Sequence, residues 1–253
     1  MNNAQPLKGK VALITGGAKG IGRAVAKKLA NAGCHIAINY YNSSDLAEKL
    51  CQELKTDGVD AMAIQANVGD PQSVKDMFAK FSQQFDRLDI LISNAASGVL
   101  KPALEMNAKH WRWCMDINAF ALISLMQEAK KLMPTGSRLI ALTSEGSHKV
   151  IPDYAFIGAS KAALESLMRY LSVELASAGI NANTVCAGAV DTDALKHFPA
   201  RERLLEESKR RSLAGRNITP EDVANAVYLL CLPEAEMIKG QTIVVDAGYS
   251  ITG

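Results

Sequence analysis

Eight residues, Thr15-Gly-Gly-Ala-Lys-Gly-Ile-Gly22, are the first in this sequence whose types and spacing suit a chemical task. They follow an apolar run, VALIT at 11–15, and open a segment of helical spacing at 20–32. A strand, a glycine turn and a helix in that order is the setting of a dinucleotide fingerprint. In such a turn Gly16 lets the chain reverse, Gly20 admits a pyrophosphate close to backbone N–H groups, and Gly22 lets helix pack on strand. Ile21 lies between those last two glycines, where the helix N-terminus adds partial positive charge. The same pattern also closes a plain strand–helix turn that binds nothing. The second strand ends in NYYNSS at 39–44. An acid there would hold the ribose 2′-hydroxyl of NAD, but the position is Tyr40 and no carboxylate follows before Asp45. Lys19, inside the turn, suits a 2′-phosphate. These residues predict NADP(H); the plain alternative for Lys19 is a solvated loop lysine.

The elements that must position this turn are legible as alternation. VALIT (11–15), HIAINY (35–40), VDAMAI (59–64), LDILIS (88–93), RLIALTS (138–144), INANTV (180–185) and QTIVVD (241–246) read as strands. Helical spacing fills 20–32, 43–57, 71–85, 103–133, 155–178 and 220–232. Pro71 and Pro220 suit first-turn positions. Alternation of this kind predicts an α/β fold: a doubly wound, seven-stranded parallel sheet with helices on both faces. It runs unbroken, so residues 1–253 are expected to form one Rossmann domain. Residues 188–219 break the rhythm, and a connection of that length is more often functional than decorative.

Composition narrows the class. Lys and Arg number 28 against 26 Asp and Glu, a net +2, without the basic excess of a nucleic-acid binder. Five scattered cysteines, with no CxxC, read as free buried thiols in a reducing compartment. Four scattered histidines give no metal-ligand cluster. No apolar run reaches a membrane span's length, and the polar start MNNAQPLKGK lacks a signal-peptide core. A soluble, cytoplasmic protein is expected.

The turn TGGAKGIG, Asn67-Val68, Asn94-Ala95-Ala96, Asn118, Ser144 and the pair Tyr154…Lys161 occur in an order that resembles the short-chain dehydrogenase/reductases over essentially the whole chain. The resemblance implies that Asn67, Val68, Asn94, Ala95 and Asn118 serve the cofactor site, and that Lys161 holds the nicotinamide ribose and favours the tyrosinate form of Tyr154. The chain departs from the usual Tyr-x-x-x-Lys. Six residues separate Tyr154 from Lys161, and the position four before Lys161 is Ile157, which donates no proton. Residues seven apart on a helix share a face within about 20°, with about 10.5 Å of rise between them. Tyr-x6-Lys resembles the enoyl-acyl-carrier-protein reductases, and NAASGVL (94–100), HWRWCMDINAFAL (110–122) and GAVDTDALKHFP (188–199) resemble their NADPH-dependent third type. The activity implied is reduction of a trans-2-enoyl thioester. There, negative charge appears on an oxygen two carbons beyond the carbon that receives hydride, and a set-back tyrosine suits that geometry. Ser144 stands where many relatives carry a second tyrosine; it either assists the substrate carbonyl or caps the strand end. A 3-ketoacyl or other carbonyl reductase is the nearest alternative, and a non-catalytic cofactor sensor a more distant one.

By the same resemblance Val190 and Thr192 contact the cofactor, and 193–212 cover the acyl chain. Segment 196–216 carries Lys196, Arg201, Arg203, Lys209, Arg210, Arg211 and Arg216 against Glu202, Glu206 and Glu207, a local +4. An acyl carrier protein would be steered to it; the plain reading is a solvated helix with internal ion pairs. Trp111 and Trp113 line a pocket or, more often for such residues, a core or subunit contact. A homotetramer is what the resemblance implies.

Overall fold

The computed structural model describes residues 5–193, 195–198 and 201–252. Seven strands form one parallel sheet in the order β3-β2-β1-β4-β5-β6-β7: β1 Val11–Ile14, β2 His35–Tyr40, β3 Ala61–Gln65, β4 Ile90–Ser93, β5 Arg138–Ser144, β6 Asn181–Ala187 and β7 Thr242–Val245. The central strands are buried on both faces, β1 and β6 along their whole length, which explains continuous apolar runs instead of alternation. Helices α1 Gly20–Asn31, α2 Ser44–Thr56 and α8 Pro220–Cys231 cover one face and share a core with Ile14, Ile36 and Val185. On the other face α3 Pro71–Phe81, α5 Ala121–Ala129 and α6 Ala155–Glu174 pack over Leu13, Leu91 and Leu139. Pro71 and Pro220 open their helices behind side-chain caps from Asp70 and Thr219.

The segment 103–133 is not one helix. A 3₁₀ turn at Ala103–Glu105 precedes α4, Ala108–Met115, which starts at an Asn107–His110 capping box. A π-helical turn, Asp116–Phe120, then joins α4 to α5. The cause is Asn118, whose side chain is drawn inward: Nδ2 donates to Ser97 O at 2.8 Å and Ser160 Oγ at 2.9 Å, and Oδ1 accepts from Ser97 N at 2.8 Å. An inserted turn of this kind is common beside functional sites. Segment 155–178 is also shorter as a helix, since α6 ends at Glu174 and a 3₁₀ turn leads to Gly179 at φ 70°.

The long connection after β6 holds a 3₁₀ turn, Leu195–His197, and helix α7, Arg201–Arg211. Positions 194, 199 and 200 of that connection lie outside the described residues. All five cysteines are free and buried. Among the described residues no helix is long and apolar enough to cross a membrane, and no group of three or more His, Cys, Asp and Glu could hold a metal ion.

Candidate active site

The strand order reverses between β1 and β4. In doubly wound sheets, ligands bind outside the strand carboxyl ends at this switch point. A cleft of about 920 Å³ opens there. At its floor Thr15 joins the two central strands: its hydroxyl accepts from Asn94 N at 2.9 Å and Ala95 N at 3.0 Å. Asn94 returns its Nδ2 to Thr15 O at 2.9 Å and Gly16 O at 3.1 Å. A Cβ on Gly16 would stand 3.0 Å from Ala95 Cα, and Gly16 and Gly20 have φ of 61° and 55°. The turn therefore keeps bare backbone beside the N-terminus of α1, a cradle that fits a pyrophosphate.

Lys19, Gly20, Ile21, Tyr40, Asn67, Val68, Asn94 and Ala95 all line this cleft with Gly16. So do Ser144, Tyr154, Lys161 and Thr192. Three of the expected residues stand behind the wall. Gly22 packs under the turn, where a Cβ would lie 2.4 Å from Gly16 O. Asn118 holds Ser97, which lines the cleft. Val190 is buried in the core beside α8. At the β2 end of the cleft the lining is Lys19, Tyr40, Tyr41, Asn42 and Ser43, with no carboxylate among them. That donor set fits a 2′-phosphate better than a bare 2′-hydroxyl.

One contributor, Asn39, carries no motif that flags it. Asn39 is buried and binds both the glycine turn (from Gly16 N, 3.4 Å) and the β3 end (to Ala66 O, 3.1 Å). Trp113 lines the cleft, whereas Trp111 meets Phe156 edge-on at 5.3 Å. The clue to Asn39 was its place in NYYNSS, a buried amide at a strand end.

At the far end stand the titratable groups. Lys161 is 5% exposed and its Nζ donates to Leu142 O at 2.9 Å. Burial draws its pKa from 10.5 down to about 8, although Glu165 and Cys186 pull upward. Tyr154 precedes the first residue of α6, with φ −105° and ψ 7°. Its ring direction is thus set by packing and not by helix phase. A Cβ on Gly146 would lie 2.5 Å from Tyr154 Cδ1, so the ring lies on a bare glycine. There it is half-buried, and loss of water raises its pKa, while Ser144 beside it acts the other way. Ser144 Oγ also accepts from Gly146 N at 3.3 Å, capping the turn after β5. Ile157 fills the position four before Lys161 and is packed on Gly98, where a Cβ would lie 2.3 Å from Ile157 Cγ1. From the long connection Phe198 reaches back, its ring centroid 5.7 Å from that of Tyr154.

The doubly wound sheet, the glycine cradle and a tyrosine–lysine pair at the strand carboxyl ends define a Rossmann-fold oxidoreductase. A family model described as "Enoyl-(Acyl carrier protein) reductase" matches residues 16–250, and the chain belongs to this family of the short-chain dehydrogenase/reductases. It is 38% identical over 250 residues to 1-cyclohexenylcarbonyl-CoA reductase of Streptomyces collinus, covering 96% of this chain and 87% of that one. It is 36% identical over 243 residues to 3-oxoacyl-(acyl-carrier-protein) reductase FabG of Staphylococcus aureus, covering 94% and 97%. A short chain dehydrogenase from Burkholderia cenocepacia, solved in complex with NADP, superposes with a TM-score of 0.90 at 30% identity over 97% and 99% of the two chains. The protein is a reductase of this family.

Proposed function

We propose that the protein uses NADPH to reduce the 2,3 double bond of a trans-2-enoyl thioester. The observation that carries this reading is that Tyr154 lines the cleft with Ser144 and Lys161, while apolar Ile157, packed on Gly98, occupies the position four before Lys161. A second support is the Streptomyces relative, whose name denotes a thioester with its double bond conjugated to the carbonyl. NADP(H) is the cofactor that fits the cleft, with Lys19 at the 2′-phosphate, the Gly16–Gly20 turn at the pyrophosphate and Lys161 at the nicotinamide ribose.

When bound, NADPH supplies the hydride. Tyr154 donates a hydrogen bond to the thioester oxygen as negative charge grows there, and delivers a proton to the product. Lys161, charged below about pH 8, stabilises the phenolate that this leaves. Ser144 holds the phenol in register. Phe198 and α7 cover the reacting end and exclude water, so 188–219 is the substrate cover of a single domain.

An acyl carrier protein is the partner this reading favours, although the local charge supports it less than the count over 196–216. Lys196 pairs with Asp193, Arg201 with Asp191 and Arg216 with Asp222. These three aspartates lie outside that window and reduce its surplus from +4 to +1. Arg203 and Lys209 stay exposed on α7. Exposed Trp111, Tyr170 and Val173 on α4 and α6 support a homotetramer.

The FabG relative favours carbonyl reduction as the second reading. Purified protein, NADPH, and either crotonyl or acetoacetyl thioester separate the two. The enoyl reading expects NADPH oxidation with crotonyl thioester; oxidation with the keto substrate alone overturns it.

A further inference from the structure

The turn after β5 carries a buried carboxylate that the reduction leaves unused. Glu145 follows Ser144 and is 5% exposed. Its Oε1 has no hydrogen-bond partner among the described residues and faces Gly188, where a Cβ would lie 3.1 Å away. Its other oxygen pairs with Lys149. Lys149 Nζ stands over the Tyr249 ring, 4.1 Å from the centroid. Arg211, the last residue of α7, stands over the same ring with Cζ 4.3 Å from the centroid. Its Nη2 donates to Tyr249 O at 3.0 Å and to Thr252 O. The segment bearing Tyr249 is itself fixed: Asp246 accepts from Gly248 N and Ser250 N, both at 2.8 Å, and Leu213 N donates to Ala247 O at 2.9 Å.

Two facts make this chain of contacts more than packing. A carboxylate removed from water is unfavourable unless a cation holds it, and an apolar side chain would fill the same space with less penalty. Helix α7 also buries one residue, Ser208, among those described. A helix with so little burial belongs to the least stable parts of a fold, and contacts at its ends decide its position. Those contacts are Arg201 with Asp191 at the start and Arg211 with Tyr249 at the finish. Phe198, just before α7, lies against the Tyr154 ring, so the start of the helix is tied to the rim of the cleft.

We propose that Glu145 is a positioning residue: acting through Lys149 and Tyr249, it latches the base of α7 to the turn carrying Ser144 and thereby sets the affinity for the thioester. The proposal rests on the reading of 188–219 as a substrate cover. Glu145 orients Lys149, the cation holds one part of the Tyr249 ring surface, and Arg211 joins α7 to the same ring.

Hydrogen exchange read by mass spectrometry on the free protein tests the latch without any substrate. Glu145→Gln and Tyr249→Leu should each raise exchange in α7 by about fivefold or more, and the double variant should add little to either, because both break one chain of contacts. Arg211→Met should raise exchange in 145–149 reciprocally. Unchanged α7 exchange in both single variants overturns the latch. An equal rise throughout β5 and β6 also overturns it, since that reports general destabilisation. In steady state the variants should raise KM for the thioester about fivefold or more with kcat largely kept; a fall in kcat at unchanged KM refutes the positioning role. Were only acetoacetyl thioester reduced, the enoyl reading would fail while the exchange result stood, and KM would be read on that substrate.

Discussion

Tyr154 and Lys161 give the sharpest expectations at the scale of single residues. Tyr154→Phe keeps the ring on Gly146 and removes only the hydroxyl, so turnover of the thioester should fall by roughly 10²–10⁴-fold while the KM for NADPH barely moves. Steady-state kinetics decide it, and unchanged turnover would mean that Tyr154 is not the donor. For Lys161, burial is the dominant influence and sets the charged form below about pH 8. Because kcat/KM reports the free enzyme, kcat/KM for NADPH should fall as pH rises through about 8. Glu165→Gln removes a carboxylate that favours the charge and should move the fall to lower pH. The sign for stability is opposite: the contribution of this depressed lysine is present above 10.5 and is lost as pH drops through about 8. Both residues were legible in the sequence, but their surroundings were not. The pairing of Tyr154 with Ser144 needed the ring to rest on Gly146, a contact with no sequence signature.

Elements decide where such groups sit. The tyrosine was expected on a helix face, two turns before Lys161; it stands instead just ahead of α6, held by the 3₁₀ turn Glu145–Ser147 beneath it. Gly146→Ala would put a Cβ 2.5 Å from Tyr154 Cδ1 and another close contact at Cε1. The ring must shift, and turnover should drop by about tenfold or more, while thermal unfolding moves by only a few degrees. A variant with full activity would show that the turn does not position the phenol. The π-turn at 116–120 teaches the same lesson. Helical spacing over 103–133 was readable, but the inserted residue arises from the pull of Ser97 and Ser160 on Asn118 across the fold. The starts of α1 and α8 were more legible because turn glycines mark the first, and a proline behind a threonine cap marks the second.

Across the whole molecule the sheet is tied at its amino ends by Asp89. This carboxylate is 3% exposed and accepts from Lys10, Arg87 and the backbone N–H of Val11, joining β1 to β4. Burial pushes its pKa up, but these donors outweigh that and hold it below 3.8. The stability it confers is therefore present above the ordinary carboxylate range and lost as pH falls through the folded value. Asp89→Asn should cost roughly 1–3 kcal/mol, read as a lower denaturation midpoint at neutral pH, with the gap to wild type closing in acid. An equal midpoint at neutral pH would show that the tie carries no weight. The sequence by itself determined the sheet and the cofactor turn. Those depend on apolar runs, helix spacing and turn glycines, signals that each lie within a short stretch of chain. Tertiary structure alone decided which charges cancel around α7, that Ile157 closes on Gly98, and that Glu145 is joined through Lys149 and Tyr249 to Arg211. The last two join distant parts of the chain, Gly98 after β4 to Ile157 in α6 and the turn after β5 to the carboxyl-terminal segment, which meet only in the folded sheet.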